Sequence, residues 1–494
     1  MNIRSASTGL VIISNVLFSC QTDKENNEKP NVLFICIDDL RPELACYGNE
    51  IIKSPYLDGL ANEGCLFNNH FANAPTSGAS RYSLLTGKHP KTRSHISNEA
   101  IRTFISNREE SENSESFIHQ LRRNGYYTVG IGKISHYPDG YLYGYNDTIG
   151  TELELPNSWD EMLFDPGKWK TGWNSFFGYS NGENRQSMKK QVKPYECSEV
   201  EDDGYVDGLT ANLALLKLKE LSKTKQPFFL GVGFFKPHLP FTAPKKYWDM
   251  YDEDNIPLTS SNFIPENINK ASLHASGEFN QYQAGEEKAS LEKAVSDNYA
   301  RKIKHAYYAC VSYVDNQVGK LIKELKELGL YKNTIIVVWG DHGWHLGDKL
   351  VWGKHTIFEK ALRSTLIIKS AETNKQSIKS DQVVSTVDIY PTLMELCGIE
   401  TPENIDGSSF VKIMKHGYDQ EWKNIAYGYY KNGISLRTGE YRLTKYFRKE
   451  MPNIELYDHA KKHLENINIA KENPDIVKKL MPVWEKGNTG LFEK

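Results

Sequence analysis

The run Asn31-Val-Leu-Phe-Ile-Cys-Ile37, followed at once by Asp38-Asp39, decides how the chain is organised. A continuous apolar run with no in-out alternation predicts a strand buried on both faces, as in a parallel sheet covered by helices. A second run, Asn333-Thr-Ile-Ile-Val-Val-Trp339, ends the same way, in Gly340-Asp341-His342. Residues 127–131 and 227–233 are also strand-like, and basic residues follow each. Helical patterns intervene. Ser54-Pro55 opens one, with Ser as N-cap and Pro in the first turn, and longer ones cover residues 209–221 and 299–328. This alternation predicts an α/β fold: a large, mostly parallel sheet sandwiched by helices.

In open α/β sheets ligands bind at the carboxyl ends of the strands. Asp38, Asp39, Asp341 and His342 therefore converge at one sheet edge. Three carboxylates and an imidazole suit a hard cation, Ca²⁺ better than Zn²⁺, with Mg²⁺ as the alternative. The same edge gathers Lys133 with His136, Lys236-Pro237-His238, and Lys354 with His355. His70, His89, His95, His274 and His416 stand alone and receive no role.

The segment Ser77-Gly-Ala-Ser-Arg81-Tyr-Ser-Leu-Leu-Thr86-Gly87 adds a hydroxyl to this edge. A helix starting near Ser77 puts Ser77 and Arg81 on one face, beside free backbone N–H groups that suit an anion. A divalent ion surrounded by Lys, His and Arg is equipment for transferring a doubly charged oxyanion.

With 494 residues, the chain is expected to form one large domain plus an appendage, or two to three domains. A net charge of −3 supplies no global field for nucleic acid or an anionic membrane, so an anionic substrate must be met by local cations. Residues 1–20 read as a signal peptide ending in a lipobox, Leu17-Phe-Ser-Cys20, and residues 21–30 as a tether. Export follows, to the periplasm or cell surface as a lipid-anchored protein; a plain signal peptide is the alternative. Residues 31–418 form the catalytic domain. Residues 419–494, with short strand-like runs, Gly/Asn turns and a last helix, form a small antiparallel-sheet subdomain. Residues 144–205 and 252–295 are polar and read as insertions over the sheet rather than core. Besides Cys20, six scattered cysteines show no metal spacing; Cys36 and Cys397 read as buried small hydrophobes, and no disulfide pairing is given.

Taken in order, these pieces resemble a type I, formylglycine-dependent sulfatase of the alkaline-phosphatase superfamily, and within it the iduronate-2-sulfatase-like branch. Ser77-Gly-Ala-Ser-Arg81 with Thr86-Gly87 satisfies the family signature, with Ala79 where Pro is commoner. The similarity continues through Asp38-Asp39, Lys133 with His136, Lys236-Pro237-His238, Asp341-His342-Gly343-Trp344, Lys354, Thr386-Val-Asp388 and Glu455-Leu-Tyr-Asp458. It implies that Ser77 is oxidised to 3-oxoalanine (formylglycine) and hydrated to a diol, and that Asp38, Asp39, Asp341 and His342 hold one ion against it. It implies that Arg81 and Lys133 hold the modified residue, that His136 is the base for sulfate release, and that His238 and Lys354 bind sulfate and protonate the leaving sugar oxygen. Serine at position 77 implies a radical-SAM maturase as partner. The implied substrate is a sulfated oligo- or polysaccharide of ulvan, carrageenan or glycosaminoglycan type, its sugar site shaped by the polar insertions and residues near Trp344, His345 and His355. The competing readings are a phosphatase, phosphodiesterase or phosphonate hydrolase of the same superfamily with an unmodified hydroxyl, and a catalytically inactive sugar-binding lipoprotein.

Overall fold

The computed structural model describes residues 29–106, 108–145, 148–370, 377–460 and 464–493; the expected leader, its lipobox and most of the tether lie outside them. Eight strands form the main sheet: β1 (Asn31–Ile37), β2 (Cys65–Phe71), β3 (Tyr127–Gly132), β4 (Glu161–Leu163), β5 (Phe228–Phe234), β6 (Thr334–Gly340), β7 (Leu366–Lys369) and β8 (Ile378–Ser385). Their spatial order is β8-β2-β7-β6-β1-β5-β3-β4. All pairings are parallel except those of β7, which runs antiparallel between β6 and β2. The expected mostly parallel α/β sheet is present.

β1 is central and wholly buried. Leu33, Ile35 and Ile37 point into one core; Val32, Phe34 and Cys36 point into the other. Two apolar faces explain the run that shows no alternation. Helices α1 (Pro55–Glu63), α2 (Ser77–Thr86), α3 (Val206–Leu221), α4 (Asp297–Glu327) and α5 (Ile389–Leu396) cover the sheet. α1, α3 and α4 cover the first core through Leu57, Ala211 and Val314, and α2 and α5 cover the second through Leu84 and Leu393.

Two expectations need correction. The Ser54 hydroxyl does not cap α1; it donates to Asp58 (3.0 Å) and accepts the Ala45 N–H (3.3 Å). Asp315 of α4 takes the first-turn N–H groups instead, at 2.8 Å from Leu57 N and 3.3 Å from Tyr56 N. Nor do the polar insertions merely lie over the sheet. β4 is its edge strand, and Trp169, Trp173, Phe176, Phe177, Phe279 and Tyr282 are buried in the first core. A few large aromatic rings carry the burial while the average composition stays polar.

The C-terminal part is an antiparallel meander of β9 (Ile425–Tyr430), β10 (Gly433–Thr438), β11 (Tyr441–Tyr446) and β12 (Ile454–Asp458), with helix α6 (Pro474–Lys486) packed on it through Leu480 and Trp484. Arg442 of β11 ties it to the main domain, donating to Glu465 (2.6 Å) and to Glu359 (2.5 Å). Six described cysteines are free, Cys36 and Cys397 among the buried ones. Among the described residues, no helix is long and apolar enough to cross a membrane.

Candidate active site

β1 and β6 are adjacent and parallel, so their carboxyl ends bring Asp38-Asp39 beside Asp341-His342. The Asp39 N–H donates to Asp341 Oδ1 (3.0 Å), as does the His342 N–H (3.0 Å). Asp39 adopts φ 59°, a left-handed conformation uncommon outside glycine, which the Tyr307 hydroxyl of α4 supports by donating to the Asp39 carbonyl (2.7 Å). The metal-ligating atoms of Asp38, Asp39, Asp341 and His342 all lie within 4.8 Å of one another, and all four residues are buried.

Ser77 is the first residue of α2 and 4% exposed. Its hydroxyl donates to Asp38 Oδ1 (3.0 Å) and lies 3.0 Å from His342 Nε2. Gly78 is required here, because a Cβ would meet the Asn98 backbone at 2.4 Å. One turn on, the wholly buried Arg81 donates to the carbonyls of Lys133 (2.6 Å) and Ile134 (3.1 Å) and to Asp341 Oδ2 (3.1 Å). Lys133, just past β3, bonds its ammonium to Asp38 Oδ2. A Cβ on Gly233 at the end of β5 would meet the Lys133 carbonyl oxygen at 2.2 Å, so a side chain there would displace the lysine.

After β5 the chain turns, held by Asp207 of α3, which accepts the N–H groups of Phe235 and Lys236 (2.8 Å each). Lys236 directs its ammonium to the carbonyls of His238 (3.1 Å) and Pro240 (2.6 Å), a holding role. His238 Nε2 faces the site, 3.9 Å from Asp39 Oδ2 and 3.1 Å from Glu278 Oε1. Lys354 Nζ lies 3.0 Å from Asp39 Oδ1 and 3.5 Å from the same Glu278 oxygen. His136 packs its ring on Trp173 (5.7 Å), and its Nδ1 is buried without a partner. The site residues named from the sequence thus meet at one sheet edge. Trp344 and His345 do not line a sugar pocket, since both are fully buried: the Trp344 ring lies beneath Lys354, and His345 Nε2 bonds Thr356 (2.9 Å). His355 stacks on Tyr430 of β9.

Glu278 was not legible. It sits in a segment full of acids, and only the tertiary fold delivers it between His238 and Lys354. Burial pushes its carboxyl up, but Lys354 and then His238 outweigh this and hold it well below the usual range. Asp38 behaves alike: burial raises it, and Lys133, then His238 and Arg81, bring it well below. Asp39 is driven well above the usual value by burial, with Asp38 adding to the rise against Lys354. Asp341 rises to about 6, through burial and then Asp38. Burial lowers His342 to about 3 and, with Lys354, His238 to about 4; burial and then Lys133 put His136 well below its usual value. Crowded carboxylates of this kind are relieved by a cation, and their hard oxygen donors fit a divalent one.

Residues 30–399 match the sulfatase family, and residues 340–486 match the family described as N-sulphoglucosamine sulphohydrolase, C-terminal. The chain is 30% identical over 517 aligned positions to a sulfatase of Formosa agariphila, covering 98% of this chain and 94% of that one. It is 28% identical to iduronate 2-sulfatase of Homo sapiens, covering 82% and 76%. Among solved structures it resembles a protein captured with its substrate D-glucosamine-2-N,6-O-disulfate (TM-score 0.70, 21% identity, 93% and 97% covered). The fold is shared equally with phosphonate monoester hydrolase of Agrobacterium radiobacter (TM-score 0.71, 21% identity, 93% and 96% covered). The family match spans both acid-bearing strand ends and the Ser77 helix between them, and on it the chain belongs to the sulfatase family and is a sulfuric ester hydrolase.

Proposed function

We propose that the protein removes sulfate from a sulfated carbohydrate, through Ser77 oxidised to formylglycine. Asp38, Asp39, Asp341 and His342 would hold one divalent ion, Ca²⁺ by donor type with Mg²⁺ as the alternative, joined by the modified residue 77. When bound, such an ion draws negative charge from the sulfate oxygens. The observation that carries this reading is the Ser77 hydroxyl, 3.0 Å from both Asp38 and His342, beside carboxylates that Arg81, Lys133, His238 and Lys354 approach.

A plain serine would form a sulfate ester with no easy release, whereas a hydrated aldehyde has two hydroxyls. One would attack sulfur as its proton passes to Asp38, to which the Ser77 hydroxyl already donates; the bond from sulfur to the sugar oxygen would break, and that oxygen would take a proton from His238 or Lys354, the latter kept charged by Asp39 and Glu278. The other then loses its proton to His136, the carbonyl re-forms and sulfate departs, after which water restores the diol. Arg81 and Lys133 hold residue 77 throughout, and Lys354 binds the sulfate. A carbohydrate substrate is supported by the iduronate 2-sulfatase relative, by the structural neighbour's disulfated glucosamine and by the aromatic wall around His136 and His238. Export as a lipoprotein and maturation by a radical-SAM enzyme belong to the same reading.

An unmodified serine acting in a phosphate- or phosphonate-ester hydrolase is the second reading, favoured by the shared fold and the hydrogen-bonded hydroxyl. Mass spectrometry of the Ser77 peptide from an active preparation decides. A mass lower by two hydrogens is expected, together with sulfate release from sulfated oligosaccharides. Unchanged serine in an active enzyme overturns the formylglycine route.

A further inference from the structure

One cation close to this site enters none of the contacts above. Arg185 sits in a tight hairpin, where its N–H donates to the Phe177 carbonyl (3.2 Å), its carbonyl accepts the Lys190 N–H (2.8 Å), and Gly178 bridges Asn184. It is 7% exposed. Its guanidinium carbon stands 3.7 Å from the Phe177 ring centre and 5.5 Å from that of Tyr282. The other buried arginines are paired: Arg41 with Asp348, Arg81 with Asp341, Arg437 with Glu359, Arg442 with Glu465. Arg185 has no carboxylate within 4.0 Å among the described residues, and its Nε is buried without a partner. The Tyr282 hydroxyl beside it is buried and interacts with the Arg185 side chain. A guanidinium removed from water without a counter-ion is unfavourable unless a ligand supplies the anion.

Its place says which ligand. The Phe177 ring that carries Arg185 lies 6.3 Å from the His238 ring, so a single aromatic ring separates the guanidinium from the imidazole that faces the site. Tyr282 and Tyr145 both feel the charges of Arg185, Glu278 and Lys354, so the three lie in one neighbourhood. Tyr145, 47% exposed, packs against Trp173 and Phe177 on the solvent side of this neighbourhood. Glu278 does not repel an incoming anion as a free carboxylate would, since the Lys354 ammonium compensates its charge.

We propose that Arg185 is the subsite for a second anionic group on the sulfated sugar, a uronate carboxylate or a second sulfate, gripped by the guanidinium fork while the scissile sulfate lies at residue 77. This rests on the carbohydrate sulfatase reading and narrows it to substrates that carry two negative groups. The planar fork matches either oxyanion in two parallel hydrogen bonds, which an ammonium cannot do.

The test is calorimetric binding to the Ca²⁺-loaded Ser77→Ala chain, which cannot turn over, using two ligand pairs that each differ by one anion. The pairs are iduronate 2-sulfate against its C6 alcohol, and glucosamine 2-N,6-O-disulfate against N-acetylglucosamine 6-sulfate. At least a tenfold preference for the doubly charged member of one pair is expected, and the pair showing it identifies carboxylate or sulfate. Adding Arg185→Met should reduce the preference below threefold, and Arg185→Lys should leave an intermediate value; far-ultraviolet circular dichroism checks that each variant is folded. A preference that survives Arg185→Met, or its absence in both pairs with Arg185 present, overturns the subsite. Failure of the matured wild type to release sulfate from any of the four sugars overturns the carbohydrate reading instead, and the subsite with it.

Discussion

Arg81 directs its guanidinium inward, to two carbonyls past β3 and to Asp341, and so fixes the spacing between the Ser77 helix and both acid-bearing strand ends. Lysine carries the charge but not the fork. Arg81→Lys should lower stability by about 3 kcal/mol, the scale of a broken buried ion pair, read from the urea midpoint. An unchanged midpoint would show that the fork is dispensable. The neighbouring acids give a second expectation. An ion that binds only the folded chain stabilises it by about 2.7 kcal/mol at a hundred times its Kd. Chelation should therefore lower the melting temperature and Ca²⁺ should restore it, with no such response in Asp38→Asn. The residues of this centre were legible because each ends a strand or opens a helix, where local sequence fixes position. Glu278 and Arg185 were not, because they lie in polar segments that only long-range packing carries to the site.

At the scale of elements, β1 and β6 were readable from burial on both faces. β7 was not, because its direction depends on the path of the chain and leaves no mark in four apolar residues. The start of α1 was half legible: Pro55 marks it, but the side chain taking its free N–H groups comes from α4. Burial raises that carboxyl, Asp315, to about 7, against an ordinary value near 4 in the unfolded chain. Between these values the folded chain keeps a proton that the unfolded chain has lost, so this group's contribution to stability falls as pH rises from 4 to 7. Asp315→Asn has no proton to lose. Its stability relative to wild type should rise across that window, by a few kcal/mol at most given about 1.4 kcal/mol per pKa unit. Guanidinium unfolding at pH 4.5 and 7.5 checks this, and a constant difference would refute the linkage.

Across the whole molecule, the C-terminal meander is clasped to the main domain by Arg442, Glu359, Glu465 and Arg437. Glu359 opens a short helix, Glu359–Leu362, soon after Lys354 in the chain, so the clasp also steadies the loop that brings the lysine to the site. Arg442→Met removes the cation shared by Glu359 and Glu465, and a loss of about 3 kcal/mol with reduced turnover is expected. Full activity at an unchanged denaturation midpoint would show that the two parts are independent. The small antiparallel sheet was readable from its turns, whereas this clasp joins residues far apart in sequence and is visible only in the fold. The burial of Ser77 has a consequence in time as well as in space. His342, which closes over it, lies 265 residues downstream. At about 5–20 residues per second, synthesis leaves the serine uncovered for roughly ten to fifty seconds. On the proposed formylglycine route, an oxidising enzyme has that interval to reach residue 77 before folding covers it.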